Sequence, residues 1–139
     1  YGRLISENFA NDSYKVSYGY DTLSRINTVK LRIQGADKDV VKNITYEPYG
    51  GIKSWTYGNG LTRTTSFDKD YRITGINTEA IQKLSHSYNT NNLLSNVDNS
   101  LEVNRSATYS YDAIGQLTKS ASTQYTESWT FDKNSNRNT

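Results

Sequence analysis

Aromatic and polar residues alternate along short stretches of this chain. Tyr18 and Tyr20 flank a glycine, and Tyr109 and Tyr111 flank a serine, so each pair of rings shares one face of an extended backbone. A period of two predicts β-strands, and the one helical candidate, residues 78–85, fits the start of a strand better. We therefore predict about a dozen short antiparallel strands, joined by tight turns in one continuous meander.

A seven-residue pattern recurs along the chain: an aromatic residue, an acidic or amide residue, two variable residues, a turn residue, arginine or a substitute, and an aliphatic residue. The aromatic residues, spaced 26, 21, 21, 23 and 20 residues apart, are Tyr20, Tyr46, Phe67, Tyr88, Tyr111 and Phe131. The residues after them are Asp21, Glu47, Asp68, Asn89, Asp112 and Asp132, and the later positions include Gly50, Gly115, Arg25, Arg72 and Arg137. Residues 2–4 fit the tail of an earlier copy. A period of about 22 residues suits two strands and two turns better than a helical pair.

Each copy of the pattern predicts a turn, which we call a motif turn, with the acidic residue at its first position. An Asp side chain there accepts hydrogen bonds from backbone N–H groups two residues on. The Gly, Asn or Ser three residues later suits the left-handed backbone that ends a four-residue hairpin loop. Tyr71 takes this place in the third copy. Because a bulky residue is strained at positive φ, we expect that turn to differ.

A second kind of turn, the spacer turn, is predicted between successive copies. The triplet Gly58, Asn59 and Gly60 lies between two β-rich stretches, which is a strong hairpin signal. The other spacer positions, at residues 35–39, 77–79 and 98–100, are expected to be looser.

Composition supports a thin β-structure. Leu, Ile, Val and Phe make up 27 of 139 residues, while Asn, Ser and Thr make up 47. The net charge of only +2 argues against disorder, which usually combines low hydrophobicity with high charge. Without cysteine there are no disulfides or thiolate metal sites, and no membrane span, signal peptide or basic stripe for nucleic acid is visible. We expect one repeat region over residues 1–139, with six to seven partial units, truncated at both ends.

Candidate chemistry is sparse in this sequence. His86 is the only histidine, and its serine neighbours are poor metal ligands, so a strand side chain is the preferred interpretation. The carboxylates recur at one position of the repeat, and turn capping explains this better than an acid–base pair does. The arginines after the turns are expected to pair with neighbouring acids. We predict no catalytic residue, no metal site, no cofactor and no enzyme activity.

The aromatic residues allow two interpretations. Cross-strand packing, worth roughly 0.2–1 kcal/mol per pair, is the structural one. A face that contacts glycans or an enclosed polypeptide is the functional one, and it would include Trp55, Tyr57, Tyr109 and Trp129.

These motifs resemble the YD repeats of the Rhs family, which also occur in bacterial wall-associated toxins, Tc-toxin C components and teneurins. The resemblance covers essentially the whole chain and is carried by Tyr20-Asp21, Phe67-Asp68, Tyr111-Asp112 and Phe131-Asp132. It implies a β-ribbon that spirals into a hollow shell, which in the bacterial members encloses a C-terminal toxic polypeptide. It also implies a bacterial protein that is secreted or on the cell surface. The family's self-cleaving Asp-Pro-x-Gly segment has no counterpart, since no Asp-Pro occurs here.

We therefore expect an all-β fold, a curved meander of repeated antiparallel hairpins that forms part of a YD-repeat β-shell. The predicted function is a structural shell segment of an Rhs-type polymorphic toxin that encapsulates a linked toxin or effector. The alternative is a cell-surface adhesion or carbohydrate-binding module that uses the aromatic face. A β-propeller is the architectural rival, but three blades would not close a ring.

The expected partners are the rest of the shell and the enclosed polypeptide, with glycans in the alternative interpretation, and neither nucleic acid nor a membrane. Open strand edges and an uncovered aromatic face invite association. We therefore expect the isolated segment to self-associate, which light scattering over a wide concentration range would test.

Overall fold

The computed structural model describes residues 2–10 and 13–138 and is built from β-strands. Among these residues there are twelve strands and a single 3-10 helix. No described helix is long and apolar enough to cross a membrane. The predicted all-β class and the antiparallel hairpin meander are therefore confirmed. The chain divides into two compact units, residues 1–66 and 67–139, which are described in turn.

The first unit is a meander in which each strand pairs antiparallel with the next. Its strands are β1 (Ser6–Phe9), β2 (Tyr14–Tyr20), β3 (Ile26–Ile33), β4 (Ala36–Tyr46), β5 (Ile52–Tyr57) and β6 (Thr62–Phe67), the last ending one residue into the second unit. Short connections and strands of four to eleven residues explain why neighbours in sequence pair in space.

The second unit repeats this arrangement. Its strands are β7 (Ile73–Thr78), β8 (Gln82–Tyr88), β9 (Leu94–Asn99), β10 (Ala107–Tyr111), β11 (Leu117–Ala121) and β12 (Thr126–Ser128). The candidate helix at residues 78–85 is absent: residue 78 ends β7, residues 79–81 form a turn, and residues 82–85 begin β8, so the preference for a strand is correct. The 3-10 helix, Val103–Arg105, lies in the loop before β10 and was not predicted.

Register gives each unit one apolar and one polar face, because successive side chains of a strand point to opposite sides. In the first unit a half-buried row crosses four strands through Tyr18, Val29, Val41 and Tyr57. The adjacent row is polar and consists of Ser17, Lys30 and Asp39. In the second unit the corresponding rows are His86, Val97 and Ala107 on one face and Ser87, Asn96 and Thr108 on the other.

The core is thin, as the low aliphatic content predicted. The buried residues of the described chain are Thr65, Thr78, Ala107 and Ser120, and only one of the four is apolar. Most strand residues are half-buried, so hydrogen bonds and cross-strand contacts must supply much of the order.

The connection between β3 and β4 differs from its prediction. Instead of a loose loop over residues 35–39 there is a two-residue turn, Gln34 (φ 50°) and Gly35 (φ 82°), and Ile33 pairs with Ala36. Positive φ at both central residues matches the right-handed twist of a hairpin, so the strands pair up to the turn. The segment at residues 98–100, by contrast, does open into a long loop before β10.

Candidate functional site

The first motif turn, residues 21–25, joins β2 to β3 and is closed by backbone and side chain together. The Asp21 N–H donates to the Arg25 carbonyl (2.8 Å), and the Ser24 N–H donates to the Asp21 carbonyl (3.0 Å). Asp21 Oδ1 accepts the N–H groups of Leu23 and Arg25, both at 2.9 Å. Asp21 Oδ2 accepts Arg25 Nε at 2.8 Å. One carboxylate therefore caps the turn and also fixes the arginine.

Four further motif turns have the same backbone closure, beginning at Asp68, Asn89, Asp112 and Asp132. In each of them the Oδ1 atom of the first residue accepts the N–H groups two and four residues later, at 2.8–3.0 Å. Asn89 shows that an amide oxygen is sufficient for this cap. These bonds are the capping expected from the sequence.

The fourth residue of the motif turn has left-handed backbone. Ser24 (φ 67°), Asn92 (φ 63°), Gly115 (φ 85°) and Ser135 (φ 63°) agree with the prediction. Tyr71 does as well, with φ 60°, so the expectation that its turn would differ is wrong. A left-handed non-glycine residue costs roughly 1–2 kcal/mol, and the cap bonds of this turn hold Tyr71 there against that cost.

The Glu47 copy departs from the pattern. Its backbone closes through Glu47 N–H to the Gly51 carbonyl (3.1 Å) and Gly50 N–H to the Glu47 carbonyl (3.4 Å). The longer side chain of Glu47 pairs with Lys53 Nζ at 2.9 Å instead of capping the turn. Gly50 does not have positive φ, so the left-handed role predicted for it is wrong.

The last copy corrects the assignment of Arg137 by one residue. Asn136 takes the place of the arginine, because its Nδ2 donates to Asp132 Oδ2 at 3.1 Å. Arg137 follows it and forms an isolated antiparallel bridge with Phe131. Asn136, and not Arg137, is therefore the residue that holds the carboxylate of this turn.

The arginine of a motif turn also reaches the aromatic residue of the next copy. The Arg25 guanidinium lies over the Tyr46 ring, 4.5 Å from its centroid, and the Tyr46 hydroxyl donates to the Ile26 carbonyl at 2.6 Å. Stacking of this kind is worth about 0.5–1 kcal/mol at exposed sites. We call this set the clamp: a turn Asp, its Arg, the Tyr of the next copy and the carbonyl that follows the Arg.

Three of the four members of the clamp, the arginine, the tyrosine and the carbonyl, recur at the beginning of the chain. Arg3 lies 4.9 Å from the centroid of the Tyr20 ring, and the Tyr20 hydroxyl donates to the Leu4 carbonyl at 2.5 Å. Arg3 and Leu4 thus occupy the same places relative to Tyr20 as Arg25 and its successor do relative to the following tyrosine. This geometry agrees with the interpretation of residues 2–4 as the tail of a further copy.

A third clamp lies in the second unit. Arg72 lies 4.7 Å from the centroid of the Tyr88 ring, and the Tyr88 hydroxyl donates to the Ile73 carbonyl at 2.8 Å. Arg72 Nε donates to Asp68 Oδ2 at 2.7 Å, and its Nη1 donates to Asn92 Oδ1 in the next motif turn. One guanidinium therefore joins two successive motif turns.

Where the arginine is missing, the clamp is reduced. The Tyr111 hydroxyl still donates to the Leu94 carbonyl at 2.8 Å, although Leu93 stands in the place of the arginine. After Gln116 in the next copy comes Phe131, which has no hydroxyl. The sequence pattern identified the side chains of the clamp but not the carbonyls that they reach.

These contacts shift the pKa values of the groups involved. The Arg25 N–H is the main reason why the pKa of Asp21 is lowered, and the Asn136 side chain has this role for Asp132. Partial burial acts to raise the pKa of Asp68, but the bonds from Arg72 and Asp70 outweigh it and the pKa is lowered. Burial raises the pKa of the Tyr46 hydroxyl, so it remains a donor.

The spacer turn at residues 57–61 reuses the backbone closure of the motif turns. The Tyr57 N–H donates to the Leu61 carbonyl (2.8 Å), and the Gly60 N–H donates to the Tyr57 carbonyl (2.9 Å). The cap comes from inside the turn, since Asn59 Oδ1 accepts the Leu61 N–H at 3.1 Å.

The two glycines of this turn have different physical roles. The Gly58 N–H donates to the Val40 carbonyl at 2.9 Å, and a Cβ at this position would lie 2.0 Å from the Asp39 carbonyl oxygen. Gly60 has φ 90°, which side chains rarely tolerate. Gly58 is therefore required by the close approach of β4, which the sequence did not reveal, and Gly60 is required by its conformation.

The predicted aromatic contact face divides between the two units. In the first unit the rings of Trp55 and Tyr57 meet edge to face, 5.7 Å apart, and Arg63 lies over Trp55. Tyr109 and Trp129 lie in the second unit, and all four residues are half-buried. Trp55 thus contacts Tyr57 on the same strand, β5, and Arg63 on the neighbouring strand, β6, while contact with a glycan or an enclosed chain stays a prediction.

His86 lies in β8 opposite Val97, and burial lowers its pKa, which favours the uncharged ring. Its Nδ1 atom is buried without a hydrogen-bond partner. Within residues 2–10 and 13–138, no three side chains of the His, Asp and Glu types converge as metal ligands.

Comparison with known proteins identifies the fold. No family model and no curated protein match the sequence. Solved structures of TcdB2-TccC3 complexes do match: the complex with Cdc42 at a TM-score of 0.80 and 19% identity, and the complex without its hypervariable C-terminal region at 0.79 and 20%. Each match covers 89% of this chain but 8% of the other chain. This chain therefore has the fold of part of the chains in these Tc toxin complexes, in agreement with the resemblance of its motifs to YD repeats.

Proposed function

We propose that this chain is a wall segment of an Rhs-type shell that encloses a linked toxin or effector polypeptide. The observation that supports this function is the fold match to Tc toxin complexes, at TM-scores of 0.78–0.80. Since the chain spans 8% of the length of those chains, enclosure would be a property of a much longer repeat array.

The repeat geometry suits a wall that grows by addition. Each hairpin contributes a motif turn, and in two of these turns the arginine, Arg25 or Arg72, holds both the local carboxylate and the tyrosine of the next copy. A new hairpin therefore needs only its neighbour for order. A nearest-neighbour design of this kind allows an extended structure without a deep core.

The matched complexes add a further argument. They include one with Cdc42 and one without a hypervariable C-terminal region, and this chain matches both alike, at TM-scores of 0.80 and 0.79. Both complexes contain TcdB2-TccC3, so the matched wall has the same fold with and without the hypervariable C-terminal region, as expected of a container that folds independently of its contents.

Protease protection tests the proposal. The complete repeat array of the parent protein is expressed with its native downstream polypeptide, and cleavage of that polypeptide is followed by mass spectrometry. The matched control is the same polypeptide without the array. We expect the array to slow cleavage strongly, and equal rates of cleavage would reject enclosure. An array that carries Arg25→Ala and Tyr46→Phe should lose part of the protection, because one clamp is broken.

A further inference from the structure

We propose that Asn59 is the main site of spontaneous deamidation in this chain and that isoaspartate formed there opens the spacer turn. The chain contains fifteen asparagines, and only Asn59 is followed by glycine. Deamidation begins when the next backbone nitrogen attacks the side-chain amide carbon. Glycine hinders this attack least, because it has no Cβ and the widest range of backbone angles.

The surroundings of Asn59 leave space for the reaction once two bonds of the turn open, the one from the Gly60 N–H to the Tyr57 carbonyl and the one from the Leu61 N–H to Asn59 Oδ1. Asn59 is exposed at the end of the β5–β6 hairpin, and a Cβ placed on Gly60 would meet nothing within 4 Å. Asn89, by contrast, is held by two N–H groups in its motif turn and precedes a β-branched threonine. The Asn99 side chain likewise accepts two N–H groups.

The step is balanced with water as the only co-reactant. The Gly60 nitrogen bonds to the Asn59 side-chain amide carbon, loses its proton, and ammonia leaves, which gives a cyclic succinimide. Water then opens one of the two ring carbonyls. One opening gives aspartate with the normal backbone, and the other gives isoaspartate, whose backbone runs through the former side chain.

The two products affect the turn differently. Aspartate retains an oxygen where Asn59 Oδ1 accepts the Leu61 N–H, so the cap is kept. Isoaspartate adds one carbon to the backbone between Tyr57 and Leu61, whose 2.8 Å bond closes the turn. The contact of Gly58 with β4 leaves no room to absorb that carbon by a shift, because the Asp39 carbonyl is already in close contact.

Ageing of the full 139-residue chain tests this proposal. The protein is incubated at mildly alkaline pH, and samples are analysed by peptide mapping and by isoaspartyl methyltransferase labelling. We expect the peptide with Asn59 to convert several-fold faster than every other asparagine peptide. Equal or faster conversion at any other asparagine would overturn the site assignment. Asn59→Gln should suppress labelling of this peptide, and persistent labelling there would also contradict the proposal.

Thermal unfolding separates the effects of the two products. Asn59→Asp reproduces the charge of the normal product and should unfold at nearly the same temperature as the unaged protein. The isoaspartate fraction, isolated by chromatography, should unfold at a lower temperature. An isoaspartate fraction as stable as Asn59→Asp would show that the turn tolerates the extra carbon.

Discussion

The motif turn at residues 21–25 and the spacer turn at residues 57–61 have one backbone closure but two chemistries. In both, the first N–H donates to the fifth carbonyl, the fourth N–H donates to the first carbonyl, and the fourth residue is left-handed. Asp21 closes the first with a charged side chain that also holds an arginine. The second relies on glycines and on the neutral cap of Asn59.

The difference shows how one chain uses the same turn for two purposes. The motif turn projects an arginine toward the next copy, so it links hairpins to one another. The spacer turn links β5 to β6 while its Gly58 N–H bonds to β4, so it needs a bare backbone rather than a side chain. The turn that links hairpins therefore has charged residues, and the turn in close backbone contact with β4 has glycines.

Among the substitutions that test this difference between the two turns, Gly58→Ala should lower the stability most. The new Cβ would lie 2.0 Å from the Asp39 carbonyl oxygen, so the backbone must move. We expect a loss of roughly 3–5 kcal/mol in the free energy of unfolding, measured by urea denaturation. Thr22→Ala at the same place of the motif turn is the matched control and should change stability by less than about 0.5 kcal/mol. Similar losses in both variants would show that the two turns do not differ in this way.

Removal of the Tyr46 hydroxyl should have the next largest effect on stability. Tyr46→Phe keeps the ring under Arg25 but removes the bond to the Ile26 carbonyl, at a cost of about 0.5–1.5 kcal/mol. Tyr57→Phe is the control on the spacer side, since its ring packs edge to face with Trp55 and its hydroxyl is not part of a clamp. If the control costs as much in thermal unfolding, the hydroxyl bond is not what distinguishes the motif tyrosines.

The left-handed position offers a gain of stability. Tyr71→Asn removes a bulky side chain from φ 60° and should stabilise the second unit by about 1 kcal/mol. Gly60→Ala makes the opposite change in the spacer turn at φ 90° and should destabilise it by about 1 kcal/mol. Calorimetry of both variants checks the signs, and a destabilised Tyr71→Asn would mean that the tyrosine ring makes compensating contacts.

Acid should weaken the motif turns and leave the spacer turn unchanged. Its effect on each turn should be smaller than that of the substitutions above. The pKa values of Asp21, Asp68 and Asp132 are lowered from 3.8, so their contribution is complete above that pH and is lost as pH falls through the folded-state values. Asp21→Asn should keep the turn, as Asn89 does, but lose part of this dependence. Urea denaturation of both proteins between pH of about 5 and about 2 isolates Asp21, because His86 titrates in both. Parallel pH curves would contradict the prediction.

Much of the fold could be read from local sequence. The period of two, the aromatic anchors and the Asp caps act over a few residues, so they appear in a single copy of the pattern. The cap of Asp21, for example, spans four residues. The two-residue turn at Gln34 and Gly35 was missed because glutamine is not a usual left-handed residue, and only the pairing of Ile33 with Ala36 reveals it.

The rest depends on contacts between distant residues. The Tyr46 hydroxyl bonds to a carbonyl 20 residues earlier, and no side-chain pattern specifies which carbonyl that is. Tyr71 is the opposite case. Tyrosine does disfavour positive φ, but the prediction that followed from this is wrong, because the Asp68 cap outweighs the local preference. The need for Gly58 follows from β4, which the hairpin signal at residues 57–61 does not contain.

In each unit the clamps lie at one end of the strands, the end with the motif turns, and this has a consequence for how such repeats diverge. The first two anchors are 26 residues apart, against 21 for the next pair, and the extra length lies in β3 and β4, of eight and eleven residues. Mutations that lengthen or shorten a hairpin can therefore accumulate at the end of the strands with the spacer turns, while the motif turns at the other end stay aligned with one another. Inherited insertions, and tags or loops grafted by engineers, should be tolerated at Gln34-Gly35 far better than between Asp21 and Arg25.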